Sequence, residues 1–264
     1  MPYLFIALFL AALPFFLKQK RAIAFLILAS FLFLAPIGIA IDNAILKTKE
    51  SVSYHADGKN DLLFVERGDR RAAIVFSASG NFVKSRVLQG GLSSPSVTLD
   101  TLILPNPQNA NAVFLYALWE NGGITHIVLP EGNTAADYLA SFSESLGIKI
   151  TRFTPNDTVI YNGIKITTHA SAKGTTAAVS IALSDHTLLY LKEDAPNDFD
   201  IRFGVMQAYH DTVILGCYGE KTKGSLTLLA DTVWEYERRS VIPAVKGQHY
   251  AYGEQIITVK HTEE

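Results

Sequence analysis

Residues 99–123 read LDTLILPNPQNANAVFLYALWENGG: a strand, a turn and a helix in immediate succession. The apolar run over residues 97–104 predicts a strand that ends at Pro105. A turn from Asn106 onward leads to Asn109, which is placed to cap a helix. Val113, Phe114, Ala117 and Leu118 recur there at helical spacing, and Gly122 and Gly123 stop the helix.

The same alternation extends outward from this stretch. Upstream, residues 52–54 and 62–65 predict strands around the turn Asp57-Gly58-Lys59-Asn60, and residues 72–76 predict another after Gly68-Asp69. Downstream, residues 125–129 predict a strand. A helix over 133–146 opens on an Asn-Thr cap and closes at Gly147, and a strand over 148–153 follows. Asn162-Gly163 is the dipeptide that favours a type I′ turn, so residues 158–161 and 164–168 predict a hairpin. Further strands are expected at 177–183, 187–191, 212–215, 226–229, 241–245 and 255–259. Many strands with helices between some of them suit an α/β sandwich, two sheets face to face with helices outside.

The chain opens differently. Residues 2–17 and 22–41 carry no charge. A helix rising about 1.5 Å per residue needs roughly 20 apolar residues to cross about 30 Å of hydrocarbon, so the second stretch suffices and the first falls short by a turn. Both are read as transmembrane helices, giving a hairpin over residues 1–41 and one soluble domain over 42–264. Lys18, Lys20 and Arg21 lie between the spans and Lys47 and Lys49 beyond them, so the positive-inside tendency places the loop in the cytoplasm and the domain outside the cell membrane. A cleaved signal peptide fits less well, because no basic residue precedes the first apolar run and no small-x-small site follows it.

Charge and cysteine content exclude several functions. All 25 acidic residues, and all but three of the 23 basic ones, fall in the soluble domain. That acidic balance argues against broad electrostatic capture of nucleic acid and predicts weak or no DNA binding by the isolated domain. The local basic cluster Lys221, Lys223, Arg238 and Arg239 is the candidate nucleic-acid patch. Cys217 is the only cysteine, which rules out an intrachain disulfide and a cysteine metal motif. Gln89-Gly90-Gly91 lacks the Lys-Ser or Lys-Thr of a phosphate loop, and Ser77-Ala78-Ser79-Gly80 lacks the flanking glycine of a nucleophile elbow.

Several stretches together resemble the ComEC-type DNA-uptake competence proteins. Residues 52–61, VSYHADGKND, are similar to a V-x-F-x-D-V-G-Q-G-D-like opening of that family's metallo-β-lactamase-like domain, with Gly58 and Asp61 kept. Ala78-Ser79-Gly80 resembles the family's next Asp-x-Gly without its carboxylate. LDTLILPNPQNANAVFL over residues 99–115 resembles its LDALILTHPHADHIGGL-like segment. The strand leading to Gly216-Cys217-Tyr218-Gly219 resembles the one before the family's His-His-Gly-Ser, and Lys192-Glu193-Asp194 echoes its Gly-Asp.

This resemblance implies a metallo-β-lactamase-like αββα sandwich, preceded by two transmembrane helices. It also implies that the metal ligands are gone. Where the family carries metal-binding side chains, this chain has Ala78, Asn106, Gln108, Ala110, Asn111, Cys217 and Tyr218. Carboxamides are poor zinc ligands and alanine is none. The expectation is a vestigial site without metal or other cofactor, on a protein that acts by binding or assembly. Its expected partners are the membrane and a polytopic competence-channel protein. The alternative is a hydrolase with a non-zinc or relocated site around Cys217, His210 and Asp211. In that reading His210-Asp211 is a dyad in the loop before the strand that ends at Cys217, and the thiol is a nucleophile awaiting a base.

Overall fold

In the computed structural model, fourteen described strands form two seven-stranded sheets. The structure describes residues 49–57, 60–77, 79–83, 85–86, 97–121, 123–154, 156–192, 195, 198–216, 230–235, 248–250 and 254–260. The two expected spans lie outside these residues, as do the expected strands at 226–229 and 241–245. Among the described residues no helix is long and apolar enough to cross a membrane.

The first sheet contains β1 (Lys49–Asp57), β2 (Asn60–Arg67), β3 (Arg70–Ser77), β4 (Thr98–Ile103), β5 (His126–Pro130), β6 (Lys149–Phe153) and β14 (Glu254–Lys260). Its order is β14-β1-β2-β3-β4-β5-β6. Pairing is antiparallel from β14 to β3 and parallel from β3 to β6. The second sheet contains β7 (Thr158–Tyr161), β8 (Ile164–Ala170), β9 (Thr176–Ala182), β10 (Thr187–Leu191), β11 (His210–Leu215), β12 (Ala230–Glu235) and β13 (Gln248–Tyr250). It repeats the progression in the order β13-β12-β11-β10-β9-β8-β7, antiparallel from β7 to β10 and parallel from β10 to β13.

Strands with apolar residues on both faces explain the unbroken apolar runs of the sequence. Tyr54, Leu63, Ile74 and Ile103 face the second sheet, where Ile166, Val179, Leu188 and Ile214 meet them in one core. Leu62, Phe64, Ala73 and Leu102 point the other way, against Leu115 and Leu118 of α1 (Asn111–Glu120) and Leu139 of α2 (Thr134–Ser145). On the outer face of the second sheet, Leu189, Leu191, Val213 and Leu215 pack on Ile201 of α3 (Phe199–Phe203) and on Met206 of the 3-10 turn that follows it. The result is helix, sheet, sheet, helix in layers, the sandwich expected from the sequence.

Local signals act where they are written. The side chain of Asn133 accepts hydrogen bonds from the amides of Ala135 and Ala136 and so caps α2, and Gly147 ends it at φ +73°. Asn162 and Gly163 adopt φ +48° and +85°, the left-handed pair that a type I′ hairpin requires. The helix α3 is not foreseen by periodicity, because five residues are too few to show one.

Candidate functional site

β4 delivers its last residues to the mouth of the sandwich. The amide of Leu104 still bonds to the carbonyl of Val128 (3.0 Å), after which Pro105 turns the chain. The side chain of Asn106 then bridges to the other sheet. Its Nδ2 donates to the carbonyl oxygen of Thr176 (2.8 Å), and its Oδ1 accepts from the Thr176 amide (3.1 Å). The Thr176 hydroxyl donates to the carbonyl of Pro105 (3.3 Å), so three hydrogen bonds clamp the end of β4 to the start of β9.

The helix after the turn starts in a different way from that expected. Asn109 does not cap α1; Ala110 occupies the N-cap in a right-handed helical conformation with no side-chain hydrogen bond. Asn111, buried, reaches back instead and accepts the amide proton of Gln108 through Oδ1 (2.6 Å). A tight turn over 108–111 already supplies the helical geometry, leaving Asn109 exposed. Of the apolar residues at helical spacing, Phe114 and Leu118 face inward, while Val113 is 74% exposed.

Asn106, Gln108, Ala110 and Asn111 line one pocket of about 300 Å³, with Asn60 and Ser79 across from them and Phe76 and Phe114 as apolar wall. The Ser79 amide donates to Asn60 Oδ1 (2.7 Å), and the Ser79 hydroxyl accepts from the Phe82 amide (3.3 Å), capping the helical residues 80–83. Below the pocket, Phe76 stacks on Tyr190 with ring centroids 3.8 Å apart. The Tyr190 and Tyr54 hydroxyls both donate to the carboxylate of Asp61, at 2.9 Å and 2.5 Å. Asp61 is 2% exposed and does not line the pocket. Gly216 passes close to this group: a Cβ there would stand 2.2 Å from the Tyr190 hydroxyl, so only glycine fits.

Of the other expected site residues, Ala78, Cys217, Tyr218, Lys221, Lys223, Arg238 and Arg239 lie outside the described residues. His210 and Asp211 do not sit in a loop; they open strand β11, because the parallel pairing with β12 begins at His210 opposite Ala230, before β10 joins at Thr212. The Asp211 carboxylate is taken up by the Thr187 amide (2.7 Å) and hydroxyl (2.8 Å). Burial alone would raise its pKa, but these bonds and the nearby His186 hold it below the ordinary carboxylate value. His210 is buried, which lowers its pKa, and its Nε2 has no hydrogen-bond partner among the described residues. Gly216, the residue before Cys217, follows the far end of the same strand, roughly 20 Å away at about 3.3 Å per residue. The described residues therefore give no dyad facing that end of β11.

No protein-family model and no curated protein matches the sequence. Solved structures match its architecture. A metallo-β-lactamase-fold protein, YhfI of Bacillus subtilis, superposes with a TM-score of 0.57 over 81% of this chain and 100% of that chain, at 14% identity. A diphosphatase of the PhnP family superposes at 0.54 over 80% of this chain and 98% of that chain, at 10% identity. The domain has the metallo-β-lactamase fold. At such identities the likeness carries the fold and nothing of the chemistry.

The residues of this metallo-β-lactamase fold do not fit a metal at the end of β4. Both polar atoms of the Asn106 side chain are held by Thr176, Asn111 Oδ1 is held by the Gln108 amide, and Ala110 has no donor atom. Among the described residues no three His, Cys, Asp or Glu side chains converge on one point. None of the described residues lining the pocket is titratable. Such a lining can hydrogen-bond a polar ligand, chiefly through the exposed Gln108 carboxamide, but offers neither general base nor general acid. The sequence pointed to the four turn residues through the resemblance. Thr176 carries no local signal, since two of its three bonds use backbone atoms and all three reach residues about 70 positions away in the chain.

Proposed function

We propose that this chain is a membrane-anchored pseudo-hydrolase related to DNA-uptake machinery, whose metallo-β-lactamase-fold domain binds or assembles rather than hydrolyses. The observation that carries the reading is the engagement of Asn106 and Asn111 with backbone atoms, in a pocket whose described lining has no acid, base or thiol. A metallohydrolase of this kind needs a metal to bring the pKa of bound water to about 7, and that requires imidazole or anionic ligands converging on one point. The apolar stretches 2–17 and 22–41 support anchoring, with the domain outside the membrane and a polytopic channel protein of the ComEC type as partner. The acidic balance of the domain supports weak, salt-sensitive contact with DNA through Lys221, Lys223, Arg238 and Arg239.

Elemental analysis of the purified, dialysed protein, paired with a phosphodiesterase assay, tests this reading. Substoichiometric zinc and manganese with no hydrolysis of DNA or of a diester is the expected result. Close to one metal per chain, removed by chelator together with a hydrolytic activity, would overturn it.

A further inference from the structure

A second cleft opens between the sheets at the other end of β4, away from Asn106. It encloses about 390 Å³, within the lower range for small-molecule sites. Its walls change character with depth. The floor is apolar, formed by the fully buried Ile103 and Val128, with Val159 of β7 opposite. One row nearer the mouth, β4, β5 and β6 carry Thr101, His126 and Lys149 in register, with Thr151 of β6 one row deeper beside Val128. The His126 ring is held between the two hydroxyls, Nε2 at 2.8 Å from Thr151 Oγ1 and Nδ1 at 3.4 Å from Thr101 Oγ1.

The charges at the mouth do not balance. Asp100 is compensated twice: the Tyr161 hydroxyl donates to Oδ1 (2.8 Å) and Arg70 pairs with Oδ2 (3.2 Å). Lys149 lines the same mouth, exposed, and among the described residues it forms no ion pair. Burial, followed by the Lys149 charge, lowers the pKa of His126 and keeps its ring neutral near pH 7. The cleft thus carries one uncompensated positive charge above an apolar floor, and Ile160 stands at its rim with 69% of its surface exposed.

We propose that this cleft binds a small amphipathic carboxylate, its apolar body against Val159 and Ile160 and its carboxylate on Lys149 beside the His126 ring. A lysine ammonium is a strong donor to a carboxylate oxygen, and the His126 ring, its two nitrogens held by Thr151 and Thr101, borders the site without bonding the ligand. Val159 and Ile160 provide apolar surface for a ring or short chain that a free inorganic ion would leave unused. The site is separate from the pocket at Asn106, so it stands whether or not the pseudo-hydrolase reading does.

The test uses the full-length protein with labelled isoleucine methyls and histidine rings, titrated with phenylacetate and with its uncharged analogue phenylacetamide while nuclear magnetic resonance is recorded. Phenylacetate is expected to shift the Ile160 methyl and His126 ring signals saturably, and to raise the pH midpoint of His126. Phenylacetamide should bind roughly fivefold more weakly, the upper range for an exposed ion pair, and Lys149→Met should lose the same factor while Lys149→Arg retains it. Lys149 is exposed at the first position of β6, so neither substitution disturbs the core. The proposal is overturned by the absence of saturable shifts at both reporters, by equal binding of acid and amide, or by unchanged affinity in Lys149→Met.

Discussion

Asn106 and Thr176, 70 residues apart, form a closed pair in which one side-chain amide satisfies both the N–H and the C=O of one backbone residue. The pair joins the two sheets at the mouth of the pocket, because Asn106 leaves β4 and Thr176 begins β9. Asn106→Ala would leave both backbone groups of Thr176 without their partner in a half-buried setting, at a cost of about 1–3 kcal/mol. Denaturant unfolding should show that loss, and amide exchange at Thr176 should accelerate more than exchange at the centre of β9. Unchanged exchange at Thr176 would show that the clamp contributes nothing.

Tyr190→Phe isolates one bond of the buried group beneath the pocket. The substitution keeps the ring stacked on Phe76 and deletes only the hydroxyl that donates to Asp61. Removing one donor from a buried carboxylate should cost about 2 kcal/mol. Tyr54→Phe should cost a similar amount, and the double variant should deviate from the sum, since both hydroxyls serve the same carboxylate. Strict additivity in thermal or denaturant unfolding would contradict a shared network.

Stability should fall as pH drops from about 6.5 towards 4. Burial, followed by the charges of Arg86 and Arg71, lowers the pKa of His55 to about 4, and burial followed by His210 does the same for His169. In the unfolded chain both histidines take up protons below about 6.5. Across this window the unfolded state binds more protons, so acidification favours it; the stabilisation is fully present above pH 6.5 and is gone below about 4. His55 is 6% exposed and its share amounts to at most about 3 kcal/mol. Unfolding midpoints measured between pH 4 and 7 should decline less steeply in His55→Gln than in the parent, and parallel curves would refute the assignment.

Protease added to intact spheroplasts should digest the domain after residue 41 while a cytoplasmic marker survives. The expectation rests on Lys18, Lys20 and Arg21 between the two apolar stretches. Protection until lysis would reverse the proposed orientation.

What the sequence by itself determined about this protein is what neighbours in the chain decide. Asn162-Gly163 makes its turn because these residues accept positive φ, and Asn133 caps α2 because its side chain reaches amides two and three residues on. The apolar runs in β2 and β3 announced strands, which the fold buries on both faces. Other features depend on residues that meet only in the fold. Asp61 reaches Tyr190 across 129 residues, and β14 closes the first sheet beside β1 from the opposite end of the chain. His210 and Asp211 read as a loop from their own polarity, yet pairing of His210 with Ala230 of β12 extends the strand through them. Asn109 had the side chain for a cap, but Ala110 takes the N-cap position without a side-chain bond, and Asn111 reaches back to the Gln108 amide. Local dihedral preference and apolar periodicity fix elements. Which sheet edge meets which, and where a polar side chain finds its partner, is decided by long-range packing that no short window of sequence contains.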